Sequence, residues 1–308
     1  MIFRRSPWTT ALVAMLSVVL IVGWVALAVS RRHPGSAPSA GVAQPQLREV
    51  SWPVEGQAAV TVDSHHLLSS PGQTAVPIAS VAKVMTAYLV LEARPLRTGE
   101  DGPTMTVSAE DVADTQVRRG QEESVISVAE GEELTERQAL QAILIPSANN
   151  VAAMLATFVA GDEASFVAKM NSTARRLHMT HTYYTDPSGF EADTVSTATD
   201  QLRLALVAMK NPVFASIVAM RSASFPVAGT VRNTNTLLGR SGFVGIKTGS
   251  DDDAGGCFAF RATRSVHGAG VTITGVVLGQ RSGRLIPAAM RAAAVLAEDV
   301  TQRLVTAS

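Results

Sequence analysis

The sequence has few cysteines and aromatic residues, and neither sign of charge is in excess. Its single cysteine, Cys257, excludes an intramolecular disulfide and a cysteine-rich zinc site. The 26 basic residues balance 26 acidic ones, so nothing in the charge indicates a nucleic-acid-binding surface. Of the 308 residues 46% are hydrophobic and 17% charged. We therefore expect a folded protein with a full-sized core rather than a disordered chain.

A long apolar stretch lies near the N-terminus. Residues 11–29 carry no charge, and a helix of that length would extend about 28 Å, close to the hydrocarbon thickness of a bilayer. Two arginines stand on either side of it. Residues 26–28, Ala-Leu-Ala, resemble a signal-peptide cleavage site, whereas the apolar length favours an uncleaved anchor. We predict an N-terminal transmembrane anchor or signal segment at residues 1–32.

The rest of the chain is predicted to be a linker followed by one domain. Residues 33–51 are rich in Pro, Ala, Ser and Gly, which is typical of a flexible linker. The globular part is expected to cover residues 52–308. Without residues 1–32 the chain keeps 22 basic and 26 acidic residues, so its mild acidity also argues against nucleic acid as a partner.

Hydrophobic patterns place strands at both ends of the globular part and helices between them. A helix at 78–93 is apolar on nearly every side and is expected to be buried at the centre. One antiparallel sheet with helices on its faces satisfies this order, which gives an α/β (α+β) fold with a central all-helical region. The predicted strands are 57–63, 243–247, 257–262 and 271–278, and the other predicted helices are 108–114, 135–145, 149–159, 163–177, 199–209 and 285–305.

The first candidate site is the sequence Ser-Val-Ala-Lys at residues 80–83. Its spacing puts Ser80 and Lys83 on one helical face, one turn apart. Burial in an apolar helix would lower the pKa of Lys83, so its amine could act as a base near neutral pH. Only four basic residues are lysines, against 22 arginines, so a lysine here favours a chemical role. The alternative is a capping serine beside a lysine that reaches solvent.

Two further motifs follow, Ser147–Asn149 in a loop and Lys247–Gly249 at the predicted end of a strand. The glycine of the second would let a ligand approach the strand closely, while its lysine and threonine could bind an anion. Each has a purely structural alternative. Ser147 could be the N-cap of a helix, and Lys247 could be a solvated lysine at the junction between a strand and a turn.

In this order the three motifs resemble the set that marks penicillin-binding proteins and serine β-lactamases. Four longer segments are similar to the low-molecular-weight D-alanyl-D-alanine carboxypeptidases of peptidase family S11, and the resemblance covers about residues 52–305. It implies a serine β-lactamase/transpeptidase-like fold and a serine-type carboxypeptidase that removes the terminal D-alanine from peptidoglycan pentapeptides. The segments are 77–87, 166–171, 177–179 and 186–190.

The resemblance also implies the role of each site residue. Ser80 would be the nucleophile that forms the acyl-enzyme, Lys83 its general base, and Ser147 a proton relay to the leaving amine. Backbone N–H groups of Ser80 and Ser250 would form the oxyanion hole, and Lys247 with Thr248 would bind the substrate carboxylate. The residues expected to bind substrate are Asn149, Lys247, Thr248, Gly249 and Ser250.

The implied partners are peptidoglycan stem peptides, with β-lactam antibiotics as inhibitors. The family requires no metal or organic cofactor, and the two histidines at 178 and 181 have no glutamate-containing zinc motif around them. The N-terminal span would tether the protein to the cell membrane with the catalytic domain outside the cytoplasm. Cleavage of that segment would instead release a secreted protein.

Two departures from the family pattern leave alternatives open. Ala148 and Asn150 stand where the family has glycine and aspartate, and an acidic run, Asp251–Asp253, follows Ser250. A β-lactamase remains an alternative, although the chain has no Glu-x-x-Leu-Asn sequence that would supply a deacylating base. A non-catalytic penicillin-binding wall protein is a second alternative. These motifs do not separate a carboxypeptidase from an endopeptidase.

Overall fold

The computed structural model describes residues 50–306. The predicted segment 1–32 and nearly all of the predicted linker lie outside the described residues. In chain order the elements are β1 (Gln57–Val62), β2 (His65–Ser69), β3 (Val76–Pro77), a 3₁₀ turn (Ala79–Ala82), α1 (Lys83–Ala93), β4 (Thr104–Thr106), α2 (Ala109–Gly120), β5 (Glu133–Thr135), α3 (Glu136–Leu144), α4 (Asn149–Ala160), α5 (Glu163–Arg176), β6 (Val195–Ser196), α6 (Ala198–Ala208), α7 (Pro212–Val218), β7 (Ser222–Phe225), β8 (Gly229–Arg232), β9 (Phe243–Asp251), β10 (Gly255–Val266), β11 (Ala269–Gln280) and α8 (Leu285–Thr306).

Five strands form one antiparallel sheet in the order β2-β1-β11-β10-β9. The N-terminal strand joins the C-terminal ones because β1 pairs with β11, with Val60 opposite Gly275. This confirms the predicted fold class, an antiparallel sheet built from both ends of the chain. Three two-stranded sheets, β3-β6, β4-β5 and β7-β8, tie the intervening segments together.

The central sheet is buried on both faces, and alternate residues of its strands belong to two different cores. On β10, Phe258 and Phe260 pack with α8 on one face, while Cys257 and Ala259 face the helical region on the other. This alternation follows from the two-residue period of a strand. Strands covered on both faces have nearly continuous apolar sequences, and Cys257 is one of the buried core residues of β10.

The helical region packs around α1 on the second face of the sheet. α1 contacts α3, α4, α5, α6 and α7, so a helix surrounded on nearly all sides needs apolar residues on nearly all sides. The predicted helices at 135–145, 149–159, 163–177, 199–209 and 285–305 all form, within one or two residues of their predicted ends. These helices are therefore confirmed, although short strands lie among them, and the region supplies the elements that carry the first two motifs.

Several local predictions differ from the structure. The turn after β1 is confined to residues 63–64, and His65 already begins the edge strand β2. The helix predicted at 108–114 continues to Gly120 as α2. Helix α7 and the β7-β8 hairpin have no counterpart among the predicted elements. The helix predicted from residue 78 begins as a 3₁₀ turn and becomes α-helical only at Lys83.

Across residues 50–306, no single helix is long and apolar enough to cross a membrane. Helices α4 and α5 meet the length and composition criteria only as a pair, and they are bent by 83° at their junction. The apolar stretch at 11–29, on which the predicted membrane span depends, lies outside this range.

Candidate active site

The 3₁₀ turn before α1 brings the two residues of the first motif together. Lys83 Nζ lies 2.8 Å from Ser80 Oγ and donates to it. Residues i and i+3 eclipse each other in a 3₁₀ turn, so the tighter turn keeps the contact that an α-helix would also have provided. Ser80 is partly exposed, whereas Lys83 is completely buried. The alternative of a lysine reaching solvent is therefore wrong.

The surroundings of Lys83 favour a neutral amine. Burial lowers the pKa of Lys83 from 10.5 to about 7, and this is the largest effect. The carboxylates of Asp186 and Glu123 oppose it by raising the pKa of Lys83, whereas the Arg118 guanidinium lowers it. A large fraction of the amine is thus unprotonated near neutral pH and can accept a proton, which arginine could not do.

A loop held by Asp186 supplies the second acceptor for the lysine. Asp186 Oδ2 accepts hydrogen bonds from the backbone N–H groups of residues 188–190, at 2.7–3.0 Å. The loop so formed presents the carbonyl oxygen of Ser188, which lies 2.8 Å from Lys83 Nζ and accepts from it. The amine is therefore held from two directions, with the Ser80 hydroxyl as one of its two acceptors.

Gly189 lets this loop rest directly on the 3₁₀ turn that carries Ser80. A Cβ at Gly189 would lie only 2.0 Å from the carbonyl oxygen of Ala79, and the residue has a φ of +79°. Only glycine accommodates both the close approach and the left-handed conformation. Ala79 itself has a φ of 46°, an uncommon conformation for a residue with a side chain. The backbone on both sides of this contact is therefore in left-handed conformations next to Ser80.

The second motif lies at the start of α4. Ser147 has a φ of 72°, and the N-cap position belongs to Ala148, with no side-chain cap. The alternative of Ser147 as a helix cap is therefore wrong. Its Oγ is buried and has no hydrogen-bond partner among residues 50–306. A buried hydroxyl without a partner is unusual in a folded protein, and here it is free to interact with a ligand.

Asn149 is fixed on one side only. Its Nδ2 donates to Glu123 Oε2 at 2.6 Å, while its buried Oδ1 has no partner within the described chain. The amide is thus half satisfied by protein and keeps one acceptor unused. Two neighbouring polar residues of this motif, Ser147 and Asn149, therefore both offer unpaired oxygen atoms.

Ala148 and Asn150, which depart from the family pattern, are both buried. Ala148 is completely buried within the hydrophobic core, so its methyl group is packing. Asn150 donates through Nδ2 to Thr115 Oγ1 and to the Ile126 carbonyl, both at 3.0 Å, and its Oδ1 accepts from Ile126 N at 3.3 Å. An amide can both donate and accept, whereas a carboxylate can only accept. Asn150 therefore holds the 115 and 126 segments together as an aspartate could not.

The third motif lies within β9 rather than at the end of a strand. β9 continues to Asp251, and Gly249 pairs with Cys257 of β10. A Cβ at Gly249 would lie 2.8 Å from the backbone nitrogen of Ser80. The glycine therefore lets β9 approach the 3₁₀ turn at Ser80, and this contact brings the third motif to the first. Ser250, the next residue, is partly exposed.

Lys247 is buried, not solvated. It is 1% exposed, and its Nζ donates to the Thr248 carbonyl at 2.9 Å. Burial lowers the pKa of Lys247 well below its usual value, and the neighbouring charge of Lys83 lowers it further. Because Lys83 contributes to the pKa of Lys247, the first and third motifs share one electrostatic environment. The alternative of a surface lysine at a turn is wrong.

A hydroxyl pair links the third motif to the loop of the second. Thr248 Oγ1 lies 2.6 Å from Thr234 Oγ1, within hydrogen-bonding distance. The backbone N–H of Thr234 donates to the carbonyl of Ile145, at 3.3 Å, just before Ser147. Thr234 thus connects the segment that carries Thr248 to the residues that precede Ser147.

Comparison with known proteins agrees with this geometry. The sequence profile of the D-alanyl-D-alanine carboxypeptidase family, peptidase S11, matches residues 46–282. The chain belongs to this family. It is therefore a serine hydrolase of the penicillin-binding type.

Relatives of this S11 protein carry two different names. It is 36% identical over 220 residues to D-alanyl-D-alanine carboxypeptidase DacB2 of Mycobacterium tuberculosis, covering 69% of this chain and 71% of that one. It is 33% identical over 251 residues to a D-alanyl-D-alanine endopeptidase of Pseudomonas aeruginosa, covering 78% and 74%. The crystal structure of the Streptomyces K15 DD-transpeptidase superposes with a TM-score of 0.69 at 26% identity, covering 81% and 98%.

The S11 site contains three residues to which the sequence motifs assign no role. Asp186 and Ser188 lie in a segment that carries the family resemblance, so the similarity was a usable signal for them. Glu123 lies in a polar run, Gln-Glu-Glu-Ser, with no spacing that sets it apart from surface residues.

As for metals, no group of three histidine, cysteine, aspartate or glutamate residues within 50–306 is placed to hold an ion.

Proposed function

We propose that this S11 protein acts by acyl transfer through Ser80 and removes the terminal D-alanine of peptidoglycan pentapeptides. The observation that carries the proposal is the 2.8 Å contact between Lys83 Nζ and Ser80 Oγ, made by an amine whose pKa is about 7. As Ser80 Oγ attacks the carbonyl carbon between the two D-alanines, neutral Lys83 accepts its proton. Water then hydrolyses the acyl-enzyme and restores the hydroxyl.

The remaining residues have roles in binding and proton transfer. The unpaired hydroxyl of Ser147 passes a proton to the departing D-alanine amine, and Asn149 helps to orient the substrate. Backbone N–H groups of Ser80 and Ser250 receive the oxyanion, where one donor is worth about 3 kcal/mol of barrier. On this proposal Lys247 and Thr248 bind the terminal carboxylate, and the absence of a side chain at Gly249 keeps β9 close to Ser80.

The first experiment locates the nucleophile. Fluorescent penicillin should attach covalently to Ser80, as read by peptide mass spectrometry, and Ser80→Ala should abolish labelling. The control is Ser172→Ala, which removes an exposed hydroxyl on α5 that contacts only its own helix. Label on another serine in the native protein would refute the assignment. Lys83→Arg should also abolish labelling, whereas Lys169→Arg, at an exposed lysine, should not.

The second experiment separates the possible activities. Incubation with a muropeptide pentapeptide should release free D-alanine. Cleavage of cross-linked dimers without D-alanine release would identify an endopeptidase, the name that the Pseudomonas aeruginosa relative carries. Hydrolysis of penicillin with intact peptide would identify a β-lactamase. Stable labelling of Ser80 with no turnover of either substrate would indicate a non-catalytic penicillin-binding protein.

We also propose that residues 1–32 attach the protein to the cell membrane, with the domain outside the cytoplasm. The support is the uncharged stretch at 11–29, which is long enough for a bilayer. The full chain should remain with the membrane fraction after alkaline extraction, while a chain lacking residues 1–32 should not. Recovery of the full-length protein in the soluble fraction would contradict the anchor, and a shortened product outside the cell would indicate a cleaved signal.

A further inference from the structure

Glu123 is a buried carboxylate beside the site, and the proposed mechanism assigns it no role. It lies between α2 and β5, and its side chain is 2% exposed. Its Oε2 accepts from Asn149 Nδ2 at 2.6 Å and lies 3.4 Å from an Arg118 guanidinium nitrogen. A charged group is rarely buried unless it is paired, so this arrangement needs an explanation.

The carboxylate fixes the direction of the Asn149 amide. An ionised carboxylate can only accept hydrogen bonds, so the Nδ2 end of Asn149 must face Glu123. The Oδ1 end then points away from Glu123, where it is buried and without a partner in the described chain. The backbone N–H of Asn149 donates to the carbonyl of the adjacent Ser124, at 2.7 Å. The loop at 123–124 thus holds Asn149 by both its side chain and its backbone.

Arg118 on α2 holds the carboxylate in turn. Its guanidinium lies between Asp114, Glu163 and Glu123, at 2.5, 3.2 and 3.4 Å. Glu123 is the most deeply buried of these three acids and the one that contacts Asn149. Asp114 and Glu163 would still neutralise Arg118 if Glu123 lost its charge.

Glu123 also acts on Lys83 through its charge. The groups that face Lys83 are the Ser80 hydroxyl, the Ser188 carbonyl, Asp186, Glu123 and Arg118, and Lys247 shares its environment. Asp186 and Glu123 raise the pKa of Lys83 against the effect of burial, whereas Arg118 lowers it. Loss of the Glu123 charge would therefore favour the neutral amine at lower pH.

We propose that Glu123 is a positioning residue for acyl transfer at Ser80: its carboxylate sets the orientation of Asn149 and supplies negative charge beside Lys83. This inference rests on the proposed function, in which Lys83 is the general base. Glu123 acts through these two residues and touches no reacting atom. It couples the first and second motifs, because one carboxylate serves a residue of each.

The test is Glu123→Gln in the full chain, with the second-order rate of acylation by fluorescent penicillin measured from pH 5 to 9. The glutamine side chain can present either end to Asn149, so the amide is no longer fixed. We expect the plateau rate to fall by about tenfold or more. We expect the acidic limb of the profile to move to lower pH by roughly half a unit or more, a shift that mere loss of packing would not produce.

The matched control is Glu163→Gln, which removes a carboxylate from the same arginine without contacting Asn149. Its plateau rate and acidic limb should remain within about twofold and a few tenths of a pH unit of the native values. If this control reproduces the effects of Glu123→Gln, they belong to the Arg118 ion pairs and the inference is wrong. A native rate and a native profile in Glu123→Gln would also overturn it.

Glu123→Asp separates the effect of the negative charge from that of the contact with Asn149. It also replaces Glu123→Gln as the test if the glutamine variant does not fold. The shorter side chain keeps the negative charge but withdraws from Asn149, so acylation should slow while the acidic limb stays in place. A native rate in this variant would overturn the orienting role. Failure of the proposed function can be distinguished from failure of this inference. It would appear in the native protein, as penicillin label on a residue other than Ser80 or as a pH profile of acylation without an acidic limb.

Discussion

Replacement of Lys83 with methionine should stabilise the fold at neutral pH while it abolishes acylation. In the folded protein the pKa of Lys83 is about 7, against 10.5 in an unfolded chain, because the amine is buried. One pKa unit corresponds to about 1.4 kcal/mol. At pH 7 the buried lysine therefore lowers the free energy of unfolding by about 4 kcal/mol, relative to a lysine that kept its ordinary pKa.

Methionine removes this penalty but also removes two hydrogen bonds. The Ser80 hydroxyl is partly exposed and can turn to water, whereas the Ser188 carbonyl loses the amine at 2.8 Å. Together these losses cost about 2–3 kcal/mol. Methionine has a similar length and an apolar side chain that suits a fully buried position. The variant should therefore be more stable than the native protein by about 1–2 kcal/mol at pH 7.

The difference should reverse at high pH. Between pH of about 7 and 10.5 the unfolded chain binds the Lys83 proton and the folded protein does not, so native stability rises with pH in this window. At pH 10 the penalty of the buried lysine falls to about 1 kcal/mol. The lost hydrogen bonds then dominate, and the methionine variant should be the less stable protein by about 1–2 kcal/mol.

The assay is guanidinium unfolding followed by circular dichroism at pH 7 and pH 10, for the native protein and the variant. Comparing the two proteins removes every titration that they share. Lys169→Met, at an exposed lysine, is the control and should change stability by less than about 0.5 kcal/mol at either pH. Equal destabilisation by Lys83→Met at both pH values would refute the buried neutral amine.

Two further predictions concern the backbone around the nucleophile. Gly249→Val should reduce the rate of acylation by about a hundredfold or more, because its Cβ would lie 2.8 Å from the Ser80 nitrogen. The control, Gly270→Val, has open space around its Cβ and should keep the native rate. Equal acylation rates in both variants would contradict the close approach of β9 to Ser80. Asp186→Ala should lower the free energy of unfolding by about 2–4 kcal/mol in a urea titration, because three backbone N–H groups lose their acceptor. The control, Asp193→Ala at an exposed position, should have little effect. An equally small loss for Asp186→Ala would show that the loop keeps its conformation without the Asp186 carboxylate.

Some elements that the sequence analysis did not predict could have been recognised from neighbouring residues. Helix α7 begins at Pro212 after Asn211, whose side chain caps the N–H groups of Val213 and Phe214. Asparagine followed by proline is a recognised helix start, so this helix was readable from its own residues. The full length of β9, in contrast, could not be predicted from its own residues. Residues 249–251 are Gly-Ser-Asp, which include two poor strand formers, glycine and aspartate, and they are extended here because they pair with β10.

The site shows the same division. The i, i+3 spacing of Ser80 and Lys83 predicts their contact, because three residues bring side chains together in any helical turn. The burial of Lys247 is different, since a lysine after a strand gives no sign of whether other elements will cover it. Glu123 is the extreme case. It lies 26 residues from Asn149, and no local pattern relates the two positions.

Neighbouring residues alone were enough to predict the strands at both ends of the domain, most of the helices between them, and the family through three short motifs. The charges around Lys83, the contact between Glu123 and Asn149, and the close approach of β9 to Ser80 depend on how distant segments fold together. A pKa depends on every group within a few ångströms in space. Those groups come from segments that lie far apart along the chain.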